Sequence, residues 1–326
     1  MTLAGQVLDR SMLAHCKLRT PNLSFLRMQP PFKLSATAFF EEILSRVEPR
    51  RERMKLKIGK LFYPEQTHRW LSYVHGHPQL FNQVAHFPKL LTKIYRPYVS
   101  QKFNCQARVD HLIAHYELID QLQLSKLIGK ALSQELVLVN LQDKVHQPLT
   151  VVLGAIRHGH REGEIEFQLK WQDNTVFSMT CSLMSTSTGV ALKIAKVQGS
   201  SESQAREVIK SATKACLGAR PQTVLLQVAQ AFCDAIGCQE IILIGNQNRV
   251  SLNPVRRRKI TSNYDAMWLE HGALPTPSGD FKLPNMLQRH LDLTEVPSHK
   301  RSQYRKRFAL FEALQMQVKW RVAAHR

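Results

Sequence analysis

Acidic residues are scarce in this chain of 326 residues, which has 25 Asp plus Glu against 45 Lys plus Arg. The formal net charge at pH 7 is therefore +20. A charge of this size attracts anions from beyond contact distance. Nucleic acid, anionic lipid and phosphorylated small molecules are the classes of partner that fit it.

Long apolar runs are also missing, since none approaches the roughly 18 residues of a transmembrane helix. Asp9 and Arg10 interrupt the start of the chain before the apolar segment of a signal peptide can form. We therefore expect a cytoplasmic protein without a transmembrane segment. Peripheral association with the inner face of the membrane stays open.

The sequence contains no CxxC pair, no GxSxG and no Walker loop, so nothing in it supports a zinc ribbon, a serine hydrolase or a P-loop nucleotidase. A chain of this size does not need a disulfide framework. We expect reduced, mostly buried thiols at the six cysteine positions, which are 16, 105, 181, 216, 233 and 238.

His111 and His115 are four residues apart, which places them on one helix face at a spacing used by metal ligands. The glutamate of a zincin HExxH motif is missing, and no third ligand can be named. No metal is predicted.

The first part of the chain has the pattern of short amphipathic helices separated by prolines. Each proline removes a helical hydrogen-bond donor and disfavours helix in the residue before it. These prolines stand at positions 49, 64, 78, 88 and 97. We predict a mainly helical region over residues 1–132.

After Gln134 the pattern changes to that of strands. Residues 136–141 form a short apolar run, and "EIEFQLKWQ" alternates apolar and polar side chains, as a half-buried strand does. Asp173-Asn174 predicts a turn into "TVFSMTCSL", and "GVALKIAKVQG" supplies another strand. The sequence therefore predicts an antiparallel meander from about residue 135 to residue 197.

Apolar residues then recur at helical spacing in two segments, which predicts two helices. We place the ends of these helices at Gly218 and Gly237, because glycine commonly follows the last residue of a helix. A strand at residues 239–245 and a short helix in "YDAMWLEHGA" follow. The C-terminal segment predicts a long helix with one apolar stripe, made of Tyr304, Phe308, Phe311, Leu314, Val318 and Val322. We predict an α+β domain over residues 133–326, with a mixed or antiparallel sheet and a long basic C-terminal helix.

Several segments occur together in an order that resembles the bacterial VirK/YbjX family. They are "RVDHLIAHYELI", "GARPQTVLLQVAQAF", "GNQNRV", "RRRK", "YDAMWLEHGA" and "VPSHKRSQYRKRFAL". The sequence departs from the family pattern at Arg249, where histidine is expected. The resemblance implies a role in the cell envelope, in virulence or in resistance to antimicrobial peptides, but no particular chemistry.

The order of elements after residue 190 also resembles the core of the acyl-CoA N-acyltransferases (GNAT). In that superfamily a loop and the following helix N-terminus hold the cofactor pyrophosphate. The resemblance implies CoA or acyl-CoA as cofactor, with a loop made of Val197, Gln198, Gly199, Ser200, Ser201 and Ser203. Ser201 and Ser203 replace the usual glycine or alanine pair, and a plain serine N-cap is the alternative interpretation.

Three residues are candidates for catalysis. Asn246 and Asn248 follow a strand at its carboxyl end, where a ligand would bind, although asparagines also form ordinary turns. Tyr264 could donate a proton to a leaving thiolate, although a tyrosine four residues before Trp268 also suits a core. An open space beside Asn246, lined by free N–H groups, would favour an enzyme. A space filled by side chains would favour a non-catalytic binding protein.

Two basic clusters suggest an anion-binding surface, although a basic surface that only keeps the protein soluble is the alternative interpretation. The first is Arg256, Arg257, Arg258 and Lys259, and the second is Lys300, Arg301, Arg305, Lys306 and Arg307. Anionic lipid or an envelope precursor fits them, whereas nucleic acid fits less well because no helix-turn-helix, RRM or KH pattern accompanies them. The leading function is thus a factor in envelope maintenance, acting as an acyltransferase on an envelope component. The alternative is a non-catalytic protein that binds anionic lipid, a partner protein or nucleic acid.

Overall fold

The computed structural model describes residues 36, 38–41, 50–142, 147–155, 161–200, 205–251, 262–284 and 296–326. The N-terminal part of this structure consists of short helices separated by prolines, as predicted. Its α-helices are α1 (Arg50–Phe62), α2 (Pro64–Gly76), α3 (Pro78–His86), α4 (Cys105–Gln121) and α5 (Ser125–Ser133). Two 3-10 turns, Pro88–Leu90 and Lys93–Tyr95, connect α3 to α4.

Proline and asparagine define where these helices begin. Pro64 and Pro78 are the first residues of α2 and α3, where the missing N–H breaks no helical hydrogen bond. Asn104 caps α4, because its Oδ1 accepts a hydrogen bond from the Ala107 N–H at 2.8 Å. The helix boundaries therefore follow from local sequence.

A mixed sheet of eight strands forms the centre of the protein, in the order β1-β2-β3-β4-β5-β6-β8-β7. The strands are β1 (Leu136–Gln142), β2 (Pro148–Ala155), β3 (Ile165–Trp171), β4 (Asn174–Thr186), β5 (Gly189–Gly199), β6 (Glu240–Leu243), β7 (Leu274–Pro275) and β8 (Phe281–Pro284). The α+β class and the antiparallel meander β1–β5 are confirmed. Gln172 and Asp173, with φ of 49° and 62°, form the β3–β4 turn, one residue earlier than predicted.

The only crossover between parallel strands in the described residues joins β5 to β6. It contains α6 (Ala205–Ala215) and α7 (Pro221–Ile236), and α7 ends at Gly237 with φ of 78°, as predicted. After β6 come a 3-10 turn at Asn246–Asn248, α8 (Tyr264–Glu270), and the antiparallel strands β7 and β8.

Helices cover both faces of the sheet. On one face, His111 of α4 contacts Ser182 of β4. On the other face, the ring of Phe167 in β3 packs against Phe232 of α7, with 5.3 Å between centroids. The C-terminal helix α9 (Ser298–Ala323) packs on α7 and on β1. Because both faces are covered, even the polar side of a strand can be buried here.

The C-terminal helix has the predicted stripe. Leu314, Val318 and Val322 are fully buried, while Tyr304, Phe308 and Phe311 are half-buried. None of the described helices is both long enough and apolar enough to cross a membrane. Five cysteines lie in the described residues as free, buried thiols, as expected: Cys105, Cys181, Cys216, Cys233 and Cys238. The division into two domains after residue 132 remains a prediction.

Candidate functional site

The strands β5 and β6 separate at the place where a ligand site was predicted. They pair in parallel from Ala191 opposite Glu240 to Ile194 opposite Leu243, and the Ile244 N–H still donates to the Ile194 carbonyl at 2.9 Å. The β4–β5 register then shifts by one residue at Ala195, and β5 continues to Gly199 beside β4 alone. A gap between neighbouring strands therefore opens beside Val197.

Two aromatic side chains of α8 fill this gap. The Tyr264 hydroxyl accepts a hydrogen bond from the Val197 N–H at 2.9 Å and donates one to the Val197 carbonyl at 2.6 Å. The Trp268 indole N–H donates to the Ile244 carbonyl at 2.8 Å. Both rings are buried. This is the arrangement that the sequence analysis connected with a non-catalytic binding protein.

The environment of Tyr264 keeps its phenol protonated. Burial raises the pKa of the phenol, and the neighbouring Arg249 only partly opposes this effect. The Arg249 guanidinium lies over the Tyr264 ring, 3.6 Å from its centroid, and donates to the Ser262 carbonyl at 2.8 Å. Arginine at this position, where the family pattern suggested histidine, thus holds the start of α8 against the turn after β6.

Asn246 connects the same turn to α8. Its Nδ2 donates to the Asn263 Oδ1 at 2.7 Å, and its Oδ1 accepts from the Tyr264 N–H at 2.9 Å. The side chain therefore helps to cap a helix. The structure brings Asn246, Tyr264 and Val197 together, as the sequence analysis suggested, but their hydrogen bonds are with one another and with neighbouring protein groups.

Asn248 lies on the other side of the turn. Its Nδ2 donates to the Asp280 Oδ1 at 2.7 Å and to the Ser278 carbonyl at 3.0 Å, while its buried Oδ1 has no hydrogen-bond partner. Asp280 also forms a buried ion pair with Lys193, at 2.6 Å. Both contacts fit the interpretation of Asn248 as a turn residue, and the catalytic roles of Asn246 and Asn248 remain predictions.

The predicted cofactor loop is only partly described. Val197, Gln198 and Gly199 end β5, and the Ser200 N–H donates to the Val176 carbonyl at 2.9 Å. Ser201 and Ser203 lie outside the described residues, as do Arg256, Arg257, Arg258 and Lys259. CoA binding therefore remains a prediction.

The second basic cluster divides into two groups on α9. Arg301 donates to the Val296 carbonyl at 2.9 Å, and Arg307 donates to the Leu217 carbonyl at 2.9 and 3.2 Å, so both hold neighbouring loops in place. Lys300, Arg305 and Lys306 are exposed. This second group is the more accessible of the two to an external anion.

A groove between α6 and α9 lies beside this exposed group and has a volume of about 830 Å³. Three cationic or protonatable side chains reach it, namely Lys214, His299 and Lys306. The remaining lining combines polar and apolar groups: Trp171, Ser211, Thr213, Ala215, Leu217, Gly218, Ser302 and Gln303. No carboxylate is among these lining residues. The groove can thus offer ammonium, hydroxyl and amide donors to one anionic group.

A buried polar cluster that the sequence did not predict lies beneath α4. The Glu164 carboxylate, in full burial, accepts hydrogen bonds from Lys93, from the Tyr98 hydroxyl at 2.6 Å and from the Tyr116 hydroxyl at 2.7 Å. Burial acts to raise the pKa of Glu164, but the charge of Lys93 and the hydrogen bonds from Lys93 and Tyr98 hold it below its usual value. Nothing in the strand pattern distinguishes Glu164 from the polar residues of a solvent face. The cluster joins the helical layer to the sheet.

His111 and His115 belong to the same region. The His111 Nε2 is 2.7 Å from the Ser182 Oγ, and the His115 Nδ1 accepts from the Leu183 N–H at 3.0 Å. Burial lowers the pKa of His111 to about 3 and that of His115 to about 4, so both rings are neutral at pH 7. Among the residues that the structure describes, no three His, Cys, Asp or Glu side chains are placed to hold a metal ion.

Comparisons with known proteins identify the family. The model of the family described as "Protein of unknown function (DUF535)" matches residues 45–320. "Uncharacterized protein YbjX" of Escherichia coli K12 is 24% identical over 272 residues, which cover 82% of each chain. An "Uncharacterized protein" of Haemophilus influenzae is 24% identical over 276 residues, or 82% of this chain and 89% of the relative. No solved structure matches the chain. Because the family model covers most of the sequence, the chain belongs to the DUF535 family, which is the VirK/YbjX family of the sequence analysis.

Proposed function

We propose that this protein binds a phosphate-bearing ligand in the groove between α6 and α9. The observation that carries the proposal is the lining of the groove, which combines Lys214, His299 and Lys306 with hydroxyl and amide side chains and includes no carboxylate among the described residues. Phosphate oxygens accept hydrogen bonds from such donors and are attracted by the ammonium groups. The net charge of +20 supports this proposal by attracting anions to the whole surface.

The ligand is the phosphate of an anionic lipid headgroup or envelope precursor, or of a soluble phosphorylated molecule. With the family resemblance, the groove supports the proposal of a factor in cell-envelope maintenance, virulence or antimicrobial-peptide resistance that is peripheral to the inner face of the membrane. Nucleic acid is a weaker candidate, because the described lining of the groove offers no row of aromatic side chains on which bases could stack.

A thermal-shift screen tests this proposal and separates the sources of phosphate. The ligands are inorganic phosphate, glycerol phosphate, nucleotides, CoA thioesters and duplex DNA, with binding to phosphatidylglycerol vesicles measured in parallel. A ligand that binds the native state alone raises the melting temperature by mass action. We expect a shift with a phosphate-bearing ligand that disappears in Lys214→Gln/Lys306→Gln.

The matched control is Lys126→Gln/Lys130→Gln, which removes two exposed charges from α5. If both double variants lose the shift equally, the ligand responds to net charge and the groove is not its site. If no phosphate-bearing ligand changes the melting temperature, the proposal fails.

The separation of β5 and β6 favours a second candidate function, acyl transfer from acyl-CoA. The supporting observation is the parallel pair that opens after Ile194, with an irregularity at Ala195 and the Val197 N–H just beyond it. In this proposal the Val197 N–H donates to the acyl carbonyl, the loop from Gln198 to Ser203 holds the pyrophosphate, and Tyr264 protonates the departing thiolate. Tyr264 would first have to leave the Val197 N–H, to which it is now bound.

The CoA members of the screen test this candidate. Acyl transfer predicts a rise in melting temperature with acetyl-, medium-chain or long-chain acyl-CoA that persists in Lys214→Gln/Lys306→Gln. The absence of any shift at about millimolar concentration would count against an acyl-CoA site. A shift that disappears in the groove variant would assign CoA to the groove as a phosphate ligand.

A further inference from the structure

Helix α1 carries an unusual number of exposed apolar side chains. Met54, Ile58, Leu61 and Phe62 are 58%, 49%, 77% and 69% exposed. No other helix in the described part of the chain has four large apolar side chains in this state. Clusters of exposed apolar side chains mark interaction surfaces, whereas isolated ones are common on any protein.

These four side chains form one stripe, because their spacing of i, i+4, i+7 and i+8 returns to the same side of a helix. The buried residues of α1 are Glu52, Leu56 and Gly59, on the opposite side. The stripe therefore faces away from the other described elements along the length of the helix.

Contacts on the inner side prevent α1 from rotating to bury the stripe. The Glu52 carboxylate accepts hydrogen bonds from the Thr92 hydroxyl at 2.5 Å and from Arg96 at 3.0 Å. At Gly59 the helix touches the Tyr95 ring so closely that an added Cβ would lie 2.2 Å from it. Rotation would break these contacts and leave the Glu52 charge without Thr92 and Arg96.

Cations accompany the stripe on the exposed side of α1. Arg50, Arg51, Lys57 and Lys60 are exposed, and Lys60 pairs with Glu41 at 3.1 Å. The one acidic residue of α1, Glu52, is turned inward. A helix with an apolar stripe and adjacent cations has the composition of helices that lie in the interface of an anionic membrane.

We propose that α1 is a membrane-docking helix, which inserts Met54, Ile58, Leu61 and Phe62 among the headgroups of an anionic bilayer. The cations beside the stripe contact lipid phosphates. This inference identifies the surface that would contact the membrane, and it rests on the peripheral membrane association proposed above. It does not depend on the groove, because α1 belongs to the helical layer of α4, whereas α6 and α9 lie with α7 on the other face of the sheet.

Co-sedimentation with vesicles tests the proposal. Wild-type protein should pellet with vesicles containing about one-third phosphatidylglycerol and much less with pure phosphatidylcholine, and added salt should release it. Leu61→Ser/Phe62→Ser should weaken the binding at least about tenfold, because two large apolar side chains no longer leave water. Its melting temperature should stay that of the wild type, since both positions are exposed.

The matched control is Met316→Ser/Trp320→Ser on α9, where the side chains are 65% and 62% exposed. This variant should bind vesicles as the wild type does. The groove variant Lys214→Gln/Lys306→Gln should also keep most vesicle binding, so failure of the groove proposal and failure of this one give different results.

Three outcomes would overturn the proposal. Wild-type protein that does not prefer anionic vesicles would remove it, and so would equal vesicle binding by the wild type and Leu61→Ser/Phe62→Ser. The third outcome is a wild-type dimer in size-exclusion chromatography that becomes a monomer in Leu61→Ser/Phe62→Ser, while vesicle binding is unchanged. A second copy of the chain, not a membrane, would then cover the stripe.

Discussion

The buried ion pair between Lys93 and Glu164 allows a quantitative prediction for Glu164→Gln. Both side chains are 5% exposed, and Tyr98 and Tyr116 donate the other hydrogen bonds to the carboxylate. Glutamine keeps the shape and one acceptor oxygen but removes the charge. The Lys93 ammonium would then remain buried without its counter-charge.

Breaking a buried pair by removal of one partner usually costs about 3–5 kcal/mol, which is a large part of the roughly 5–15 kcal/mol that stabilise a typical domain. We expect a loss in this range for Glu164→Gln. Lys93→Met should cost less, because the two phenols still donate to the carboxylate. Glu164→Gln/Lys93→Met leaves no unpaired charge in this cluster, so its cost should be smaller than the sum of the two single costs by about 1–3 kcal/mol.

Urea unfolding followed by tryptophan fluorescence measures these differences. Glu270→Gln is the control, because Glu270 pairs with Arg220 at 2.9 Å on the surface, where the side chains are 60% and 62% exposed. Its cost should be below about 1 kcal/mol. Equal costs for Glu164→Gln and Glu270→Gln, or additive costs in the Lys93 cycle, would refute the reasoning.

Three further predictions concern the two buried histidines, Gly59 of α1 and Tyr264 of α8. The pKa values of His111 and His115 in the folded protein are lowered to about 3 and about 4. As the pH falls, the unfolded state therefore binds protons at these rings at a higher pH than the folded state does. The stability that the two neutral rings contribute should therefore be present above about pH 6.5 and be lost as the pH falls below it, and equal urea midpoints at about pH 7.5 and pH 5 would contradict this. Gly59→Ala should lower the free energy of unfolding by about 1–3 kcal/mol through the clash with Tyr95, whereas Gly129→Ala, with no atom within 4 Å of the added Cβ, should not lower it. Tyr264→Phe leaves the buried Val197 N–H without its partner and should cost about 1–3 kcal/mol, so an unchanged melting temperature would show that this hydrogen bond is not formed.

Local sequence was sufficient to predict most elements of the fold. Prolines locate the starts of α2 and α3, period-two alternation locates β3 and β4, and Gly237 ends α7. These features depend on backbone preferences and on one-sided burial, which neighbouring residues determine. The β2 strand was not identified individually, although it lies within the predicted meander.

Tertiary contacts explain what sequence reasoning did not foresee. Glu164 was assigned to the polar face of a strand, but Tyr98, Tyr116 and Lys93 come from separate elements to cover it. Helix α1 shows the reverse case, because its acidic residue Glu52 is buried while its apolar Leu61 is exposed. In both places a partner distant in sequence decides which face is buried.

The candidate site shows the same limit. The structure brings Asn246 and Tyr264 together, since the Tyr264 N–H donates to the Asn246 Oδ1. The pattern does not indicate that the Tyr264 hydroxyl already occupies the Val197 N–H. The groove could not be predicted from the sequence either. Lys214 and Lys306 are 92 residues apart in the chain and come together only because α6 packs beside α9.

The most direct test of the proposed function is a calorimetric titration of the wild type and of Lys214→Gln/Lys306→Gln with glycerol phosphate at low salt. An exposed ion pair contributes up to about 1 kcal/mol, so loss of both ammonium groups should weaken binding by up to roughly thirtyfold. Lys126→Gln/Lys130→Gln should titrate as the wild type does. Equal affinities of the wild type and the groove variant, or no heat of binding with the wild type, would contradict the assignment of the groove as a phosphate site.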